Sequence, residues 1–289
     1  MFKKLMVAVD FDEGRGEFLK CLGGLKDFGV REAVVAFCVD VPDIAGVRAS
    51  LKEILGGELD ALCEIARQSG IEAHSEILIG SPASTMADAG ERLGCSMIVV
   101  ASRIRTLFGE TIMGSAAHTA MCHARLPLLV LRLRESDEET SCRNWPCLPL
   151  ERILFPTDFS DNAEHALRTV KALVERTKTA VTLLHVQDQG KWGRHLESRL
   201  DEFNRIDRDR MARISDDLTK SGAADVTLDL RTGYPAREVI AAAGEKGVSC
   251  VVMGSQGRGF FGEMAIGSVS HNVARRAPVP VLLIPAVLP

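Results

Sequence analysis

The fold is decided by Cys250-Val251-Val252-Met253-Gly254-Ser255-Gln256-Gly257, a stretch followed nine residues later by Gly267-Ser268-Val269-Ser270. The apolar run predicts a buried β-strand, the glycines after it predict a tight turn, and the second segment predicts the start of a helix. Glycine lets the backbone approach a ligand closely and adopt a positive φ where that is needed. The start of a helix attracts anions through its unpaired N–H groups and its dipole.

The residue types of this segment suit a phosphate group. Gly267 leaves space where a phosphate would rest, and Ser268 and Ser270 would add hydroxyl donors. No lysine occurs in the loop, so it is not a P-loop of the Walker type. The phosphate charge would be met by backbone amides, hydroxyls, an accompanying metal ion or Arg258. From these residues alone, a purely structural glycine turn remains the alternative.

The same pattern occurs earlier in the chain. Met97–Ser102 matches Cys250–Ser255, and Gly114-Ser115 matches Gly267-Ser268 at the same offset. Self-similarity at a fixed offset indicates a duplication. The sequence therefore predicts two domains, residues 1–133 and 151–289, joined by a polar, proline-bearing linker over residues 134–150.

Strand-like and helix-like segments alternate within each copy. The strand-like runs are short and continuously apolar, which is typical of parallel strands covered on both faces. The sequence predicts an α/β fold of two tandem doubly wound, Rossmann-like domains, each with a five-stranded parallel sheet. Ligands bind such sheets beyond the carboxyl ends of the strands, where the strand order reverses. In the second copy the predicted strands are Ile153–Thr157, Ala180–Val186, Val226–Leu230, Cys250–Met253 and Val281–Ile284.

Composition argues against two classes of partner. The chain has 289 residues, 46% of them hydrophobic, and a net charge of −4. It has no basic excess to bind nucleic acid and no basic cluster to bind an anionic membrane. The apolar N-terminal run stops at Asp10, and prolines interrupt the apolar tail 277–289. The sequence therefore predicts a soluble, cytoplasmic protein.

The eight cysteines are scattered, several of them within apolar segments. This placement is typical of buried free thiols in a reducing compartment. Cys142 and Cys147 leave open a redox or metal-binding pair. His118, Cys122 and His123 have helical spacing and could also ligate a metal, although a helix packed on a sheet explains them as well. No metal site is predicted.

The glycine segment resembles a known family. Gly-x2-Gly-x9-Gly-Ser, present here from Gly254 to Ser268, is the nucleotide-binding signature of the universal stress protein family. Ile153–Ser160 resembles the family's first strand and its acidic end, and Leu183–Val186 its second strand. Gly233–Ala236 is similar to its turn after the third strand, and Arg275–Leu282 to its closing helix and fifth strand. The chain thus resembles the tandem, two-domain branch of that family.

The resemblance implies a site for ATP or another adenine nucleotide in the second copy, with Mg²⁺ accompanying it. Three residues would line the adenosine end and one would recognise adenine through its backbone. Others would flank the ribose or lie beside the phosphates, and the start of the last helix would hold the phosphates. Capping a helix or stabilising a turn is the alternative role for the aspartate. Pro156, Thr157 and Asp158 would line the adenosine end, and Val186 would recognise adenine. Met253, Gly254 and Gly257 would flank the ribose and phosphates, and Gln256 would lie beside the phosphates. The phosphates would be held by Gly267, Ser268, Val269 and Ser270.

The first copy departs from the signature. Ala101 and Ile104 stand where Gly254 and Gly257 occur in the second copy. A β-branched isoleucine fits poorly where the backbone must turn tightly, because positive φ is costly for it. Asp10 and Val39 are retained, so an altered site remains possible. The first copy is predicted to be mainly structural.

The resemblance implies a nucleotide-dependent stress-response or regulatory protein that acts on an unidentified protein partner. A slow ATP-hydrolysing enzyme and a scaffold with a vestigial site are the alternatives; no catalytic residue is assigned. The last strands, Leu128–Leu131 and Val281–Ile284, are strongly apolar and would be exposed edges if left alone. They are predicted to pair with each other within one chain, and two chains could associate further as a homodimer.

Overall fold

Short apolar runs alternate along both halves of the chain with segments whose apolar residues have helical spacing. The short runs form strands, and the segments with helical spacing form helices. Contacts divide the chain into two units, Met1–Pro149 and Leu150–Pro289. No helix among the described residues is both long and apolar enough to cross a bilayer. The computed structural model describes residues 1–9, 17–41, 46–103, 105–107, 110–112, 115–123, 125–136, 139–141, 146–147, 149–188, 190, 200–245, 247–257 and 266–286.

The first unit contains a parallel sheet of order β7-β4-β1-β2-β3. Its strands are β1 (Lys4–Val9), β2 (Glu32–Val39), β3 (Glu72–Ile79), β4 (Met97–Arg103), β5 (Arg105–Leu107), β6 (Glu110–Ile112), β7 (Leu128–Ser136) and β8 (Glu139–Ser141). The pairs β5–β6 and β7–β8 are antiparallel. Its helices are α1 (Glu17–Lys20), a 3₁₀ helix (Cys21–Phe28), α2 (Val47–Gln68), α3 (Pro82–Arg92) and α4 (Ser115–His123).

The second unit contains a parallel sheet of order β11-β10-β9-β12-β13. Its strands are β9 (Arg152–Thr157), β10 (Ala180–Asp188), β11 (Val226–Gly233), β12 (Cys250–Gly254) and β13 (Val281–Ile284). Its helices are α5 (Asp161–Thr177), α6 (Leu200–Lys220), α7 (Pro235–Ala243) and α8 (Ser268–Arg276). The predicted α/β fold with two tandem parallel-sheet domains is therefore confirmed.

Burial explains why these segments form these elements. Every residue of β12 and β13 is buried, as expected for strands covered on both faces. Helix α5 buries one stripe of its surface, and its apolar residues recur every three or four positions along that stripe. The buried residues of α5 are Ala163, Ala166, Leu167, Val170, Leu173 and Val174.

Strands β10 and β11 extend two and three residues beyond their predicted ends. The parallel pairing of β10 with β11 continues to Asp188↔Gly233, past the apolar runs that predicted them. Backbone hydrogen bonds hold this extension, and they do not require apolar side chains. The predicted helix between these strands begins at Leu200 in the described residues, and Leu196, part of its predicted pattern, lies outside them.

Part of the segment predicted as a linker forms regular structure. Strand β7 runs on to Ser136, and β8 pairs with it from Arg134↔Ser141 to Ser136↔Glu139. Leu131-Arg132-Leu133-Arg134 alternates apolar and charged residues, a pattern that favours a strand over an irregular linker.

One cysteine pair also differs from the prediction of free thiols. Cys21 forms a disulfide with Cys147, across 126 residues of sequence. Gly24 lies one 3₁₀ turn from Cys21, and any side chain there would collide with the carbonyl oxygen of Pro146. Cys142, the partner considered for Cys147, lies outside the described residues. Within the described residues, no group of three or more His, Cys, Asp or Glu side chains is placed to hold a metal ion.

Candidate functional site

The strand order of the second unit reverses between β9 and β12. The chain runs from β9 to β10 and β11 on one side, then crosses to β12 on the other side of β9. Strands β9 and β12 pair at Cys250↔Ile153 and Val251↔Leu154 and do not pair beyond Leu154 among the described residues. The carboxyl ends of these strands, Pro156-Thr157 and Met253-Gly254, therefore border a gap in the ladder. Parallel sheets bind ligands at such a reversal.

Pro156 is one physical reason why this gap exists. Proline has no N–H to donate to a neighbouring strand, so it interrupts the hydrogen bonding of a sheet interior. In the first unit Ala8 occupies the matching position, and β1 pairs with β4 as far as Ala8↔Val100. The described pairing thus ends earlier in the second unit than in the first.

Asp158 joins the end of β9 to the start of α5. Its Oδ1 accepts hydrogen bonds from the backbone N–H of Ser160, at 3.1 Å, and from the Ser160 hydroxyl, at 2.6 Å. Ser160 in turn caps α5, since its Oγ accepts from the N–H of Ala163 at 3.2 Å. The cap of α5 is therefore Ser160, and Asp158 has the alternative role of a turn aspartate that holds Ser160 in place. Its other carboxylate oxygen, Oδ2, faces Gly257 and is 3.0 Å from where a Cβ on that glycine would lie.

The loop glycines are required by close packing, not by unusual dihedral angles. None of Gly254, Gly257 and Gly267 adopts a positive φ, so the predicted need for that conformation does not apply to them. A Cβ at Gly254 would lie 2.9 Å from Nδ2 of Asn162, and one at Gly267 would lie 3.3 Å from Cα of Gln256. Each glycine therefore lets another part of the protein approach the loop backbone.

The start of α8 lies against the glycine loop. The N–H of Gly267 donates to the Ser255 carbonyl at 2.8 Å, and the first intrahelical bond runs from His271 N–H to Gly267 O. The N–H groups of Ser268, Val269 and Ser270 precede that bond, so helix geometry leaves them without intrahelical acceptors. These donors and the positive end of the helix dipole face the same direction.

The two serines of this helix start differ. The Ser268 residue is exposed, whereas Ser270 is 3% exposed and its hydroxyl donates to the Gly254 carbonyl at 2.8 Å. Ser270 was predicted as a hydroxyl donor to phosphate, but its proton is already used to hold α8 against β12. Of these two serines, Ser268 is the exposed one.

The remaining predicted site residues lie around the same edge of the sheet. Met253 is buried at the end of β12, and Val186 is half-buried near the end of β10. The Gln256 carbonyl accepts from the Asn162 amide at 2.8 Å. The structure thus brings the glycine loop, the end of β9 and the start of α8 together, and places Val186 one strand further out.

Sequence reasoning missed a polar cluster beside Thr157. His185 Nδ1 lies 2.7 Å from the Thr157 carbonyl and therefore donates to it, and its Nε2 lies 3.6 Å from Oδ2 of Asp207 on α6. The ring of Phe159, a residue with φ of 58°, lies 4.4 Å from the His185 ring. A histidine inside the mainly apolar run Ala180–Val186 was the available signal. This cluster fixes the backbone at the carboxyl end of β9.

The first unit is built differently at the matching positions. Ala101, Ser102 and Arg103 lie within β4 and pair with β7 as far as Arg103↔Leu133, so a strand continues where the second unit has its glycine loop. Arg132 of β7 is 1% exposed and donates to the Ser102 hydroxyl at 3.2 Å. Burial lowers the pKa of its guanidinium to about 10. Ile104 and Gly114 lie outside the described residues.

Comparison with known sequences decides the family. The universal stress protein family profile matches residues 1–132 and again residues 149–285. The chain belongs to the universal stress protein family. This universal stress protein therefore carries the family domain twice.

Individual relatives agree with this assignment. A universal stress protein of Methanocaldococcus jannaschii is 31% identical over 155 residues, covering 46% of this chain and 94% of that protein. A universal stress protein of Mycolicibacterium smegmatis is 28% identical over 223 residues, covering 74% of this chain and 69% of that protein. A solved universal stress protein from Archaeoglobus fulgidus covers 98% of both chains with a TM-score of 0.72 and 23% identity, and so shares the fold.

Proposed function

We propose that the second unit of this universal stress protein binds an adenine nucleotide. ATP is the favoured ligand, and ADP or AMP would make the same adenosine contacts. One observation carries the proposal: the Gly267 N–H bonds the Ser255 carbonyl at 2.8 Å, so the glycine loop and the start of α8 form one surface beside the gap between β9 and β12. Backbone N–H groups at a helix start are a common phosphate site.

The adenosine would lie across the carboxyl ends of β9 and β10. Pro156, Thr157 and Met253 would supply apolar contacts, and the Val186 backbone would recognise the base. Oδ1 of Asp158 accepts a hydrogen bond from Ser160, and its Oδ2 lies beside Gly257. A nucleoside hydroxyl would donate to this carboxylate.

The phosphates would be held mainly by backbone. Gly254, Gln256 and Gly257 would form one wall, and the N–H groups of Ser268 and Val269 the other, with the Ser268 hydroxyl as a further donor. Ser270 would contribute its N–H and fix the helix, since its hydroxyl bonds Gly254. Mg²⁺ would come with the triphosphate as its counter-ion.

The first unit would serve as structure, giving one nucleotide per chain. Continuous β4–β7 pairing leaves no matching loop in its described residues. Nucleotide binding would stabilise the second unit and alter a surface read by a protein partner, as expected of a cytoplasmic regulator.

Isothermal titration calorimetry of the purified protein with ATP, ADP, AMP and GTP tests this function. Gly267→Val places a branched side chain against Gln256, so we expect it to abolish measurable ATP binding while the protein stays folded. Gly114→Val, the matched change in the first repeat, should leave the affinity within about twofold. Absence of heat with every adenine nucleotide, or equal losses in both variants, would contradict the proposal.

The assembly remains a proposal from the sequence alone. The apolar last strands of the two repeats would pair with each other, and a homodimer of chains is a further possibility raised by the same argument. Sedimentation velocity of the whole chain measures directly whether two chains form a homodimer. A monomer at all accessible concentrations would exclude the homodimer.

A further inference from the structure

The Asn162 side chain has one hydrogen-bonded end and one unpaired end. Its Nδ2 donates to the Gln256 carbonyl at 2.8 Å. Because a carbonyl can only accept, this bond fixes which end of the amide faces the loop. Its Oδ1 is buried and has no hydrogen-bond partner among the described residues. A buried acceptor without a donor is a cost to the folded state, so it calls for an explanation.

Asn162 also determines the residue type at Gly254. A Cβ on Gly254 would lie 2.9 Å from Nδ2, 3.1 Å from Cγ and 3.2 Å from the backbone oxygen of Asn162. The last of these is a backbone atom, so it cannot move aside as the end of a flexible side chain would. Asn162 therefore contacts both the first glycine and the third residue of the loop 254–257.

The fold does not need an asparagine at this position. Ser160 caps α5 through the Ala163 N–H, and the buried stripe of the helix is made by other residues. Alanine at position 162 would remove one hydrogen bond but also one unpaired buried acceptor, two effects of opposite sign on stability. The gain from asparagine must therefore lie in the loop that it holds.

We infer that Asn162 is a positioning residue for the loop 254–257. Its amide holds the Gln256 peptide, and with it the loop backbone, in the arrangement that receives the phosphates. This inference rests on the proposed nucleotide site, which it deepens by naming the residue that keeps the loop ready. Asn162 acts through Gln256 and does not touch the nucleotide.

The test compares three variants of the full chain. N162A removes the amide, and N162D replaces its donor by an acceptor of the same size. S221A is the matched control, because Ser221 Oγ also donates to a backbone carbonyl at 2.8 Å, that of Asp217 in α6, which has no part in the proposed site. Each protein is titrated with ATP, unfolded by heat, and followed by amide hydrogen exchange of residues 254–257 without nucleotide.

We expect N162A to weaken ATP binding by about five- to tenfold, the loss of one hydrogen bond, with its unfolding midpoint within about 2 °C of the wild type. N162D should lose more, because its carboxylate adds negative charge near the phosphates. Exchange in the loop should be faster in N162A than in the wild type, and S221A should match the wild type in all three measurements.

Two results would overturn the inference. One is an N162A affinity within twofold of the wild type; the other is a loss of affinity accompanied by a large fall in the unfolding midpoint, which would make the role merely structural. If the wild type binds no nucleotide, the proposed function fails and hydrogen exchange alone decides. Faster loop exchange in N162A would then support the positioning role, and unchanged exchange would refute it.

Discussion

At the scale of the residue, the main finding is why the loop glycines are glycines. Gly254 and Gly257 were predicted to serve the ligand, yet Gly254 is also packed closely against the side chain and backbone of Asn162, and Gly257 lies beside the end of the Asp158 side chain. A signature that describes a binding site is here also a packing requirement. A substitution at Gly254 should therefore affect stability and binding together.

Gly254→Ala tests this double requirement. Because the added Cβ would lie 3.2 Å from the Asn162 backbone oxygen, we expect the variant to lose about 1–3 kcal/mol of stability and to bind ATP more weakly. Gly57→Ala in α2 is the control, since a Cβ there meets nothing within 4 Å. That change should stabilise the protein by about 1 kcal/mol. Urea unfolding measures both, and equal effects would refute the packing argument.

Cys38 provides a prediction that depends on pH. Burial, together with the nearby Asp40 carboxylate, raises the pKa of its thiol from 9.0 to about 11. The thiolate is the reactive form, so alkylation of Cys38 in the folded protein should keep rising with pH up to about 11. In the protein unfolded by urea, the alkylation rate of Cys38 should level off near pH 9, the ordinary pKa of a cysteine thiol. The folded state holds this proton more tightly, so stability is lost as pH rises from 9 towards 11.

Iodoacetamide labelling followed by peptide mass spectrometry gives the rate for Cys38 at each pH. A folded-state rate that levels off at the same pH as in urea would contradict the raised pKa.

At the scale of the element, the connection between β9 and α5 does more than turn the chain. Thr157, Asp158 and Ser160 form consecutive side-chain to backbone hydrogen bonds, and Thr157 Oγ1 accepts from Phe159 N–H at 3.0 Å. The same connection carries Asn162 to the glycine loop. The cap of α5 is therefore part of the candidate site.

Ser160→Ala measures the contribution of this cap. The change removes the acceptor for the Ala163 N–H and the hydroxyl donor to Asp158, so we expect a loss of about 1 kcal/mol in stability and a weaker nucleotide affinity. Ser221→Ala, which removes an exposed hydroxyl bonded to the Asp217 carbonyl at 2.8 Å, should change stability by less than about 0.5 kcal/mol. Chemical unfolding compares the two, and equal losses would contradict the capping role.

At the scale of the whole molecule, the two repeats differ in structure at the position of the candidate site. The second keeps the glycine loop and ends the β9–β12 pairing early, whereas the first continues its strands and buries Arg132. The first unit also contains the Cys21–Cys147 disulfide, for which the second has no counterpart in sequence.

Reduction of that disulfide should destabilise the first unit. Closing a loop of 126 residues restricts the unfolded chain, and in the chain-entropy account such long loops stabilise by several kcal/mol. We expect Cys21→Ser, or treatment with a dithiol, to lower the unfolding temperature of the first unit by at least about 5 °C. Cys122→Ser, a change at a free cysteine, is the control. No shift in Cys21→Ser would show that the bridge contributes nothing.

Much of this protein could be predicted because its strongest signals are local. Apolar runs, helical spacing and a repeated glycine-serine pattern lie within short segments, and they were sufficient for the α/β class and the tandem domains. The predictions failed where a segment's role depends on a distant partner. Ser270 resembles a phosphate donor in sequence, but its hydroxyl donates to the carbonyl of Gly254 on another element.

The sequence by itself determined the order of strands and helices, the duplication and the place of the candidate loop, because each follows from spacing along the chain. Only the tertiary structure decided that Asn162 reaches Gln256 and that Cys21 meets Cys147. These contacts join segments far apart in sequence, and the distance between such segments is set by packing, which no local pattern encodes.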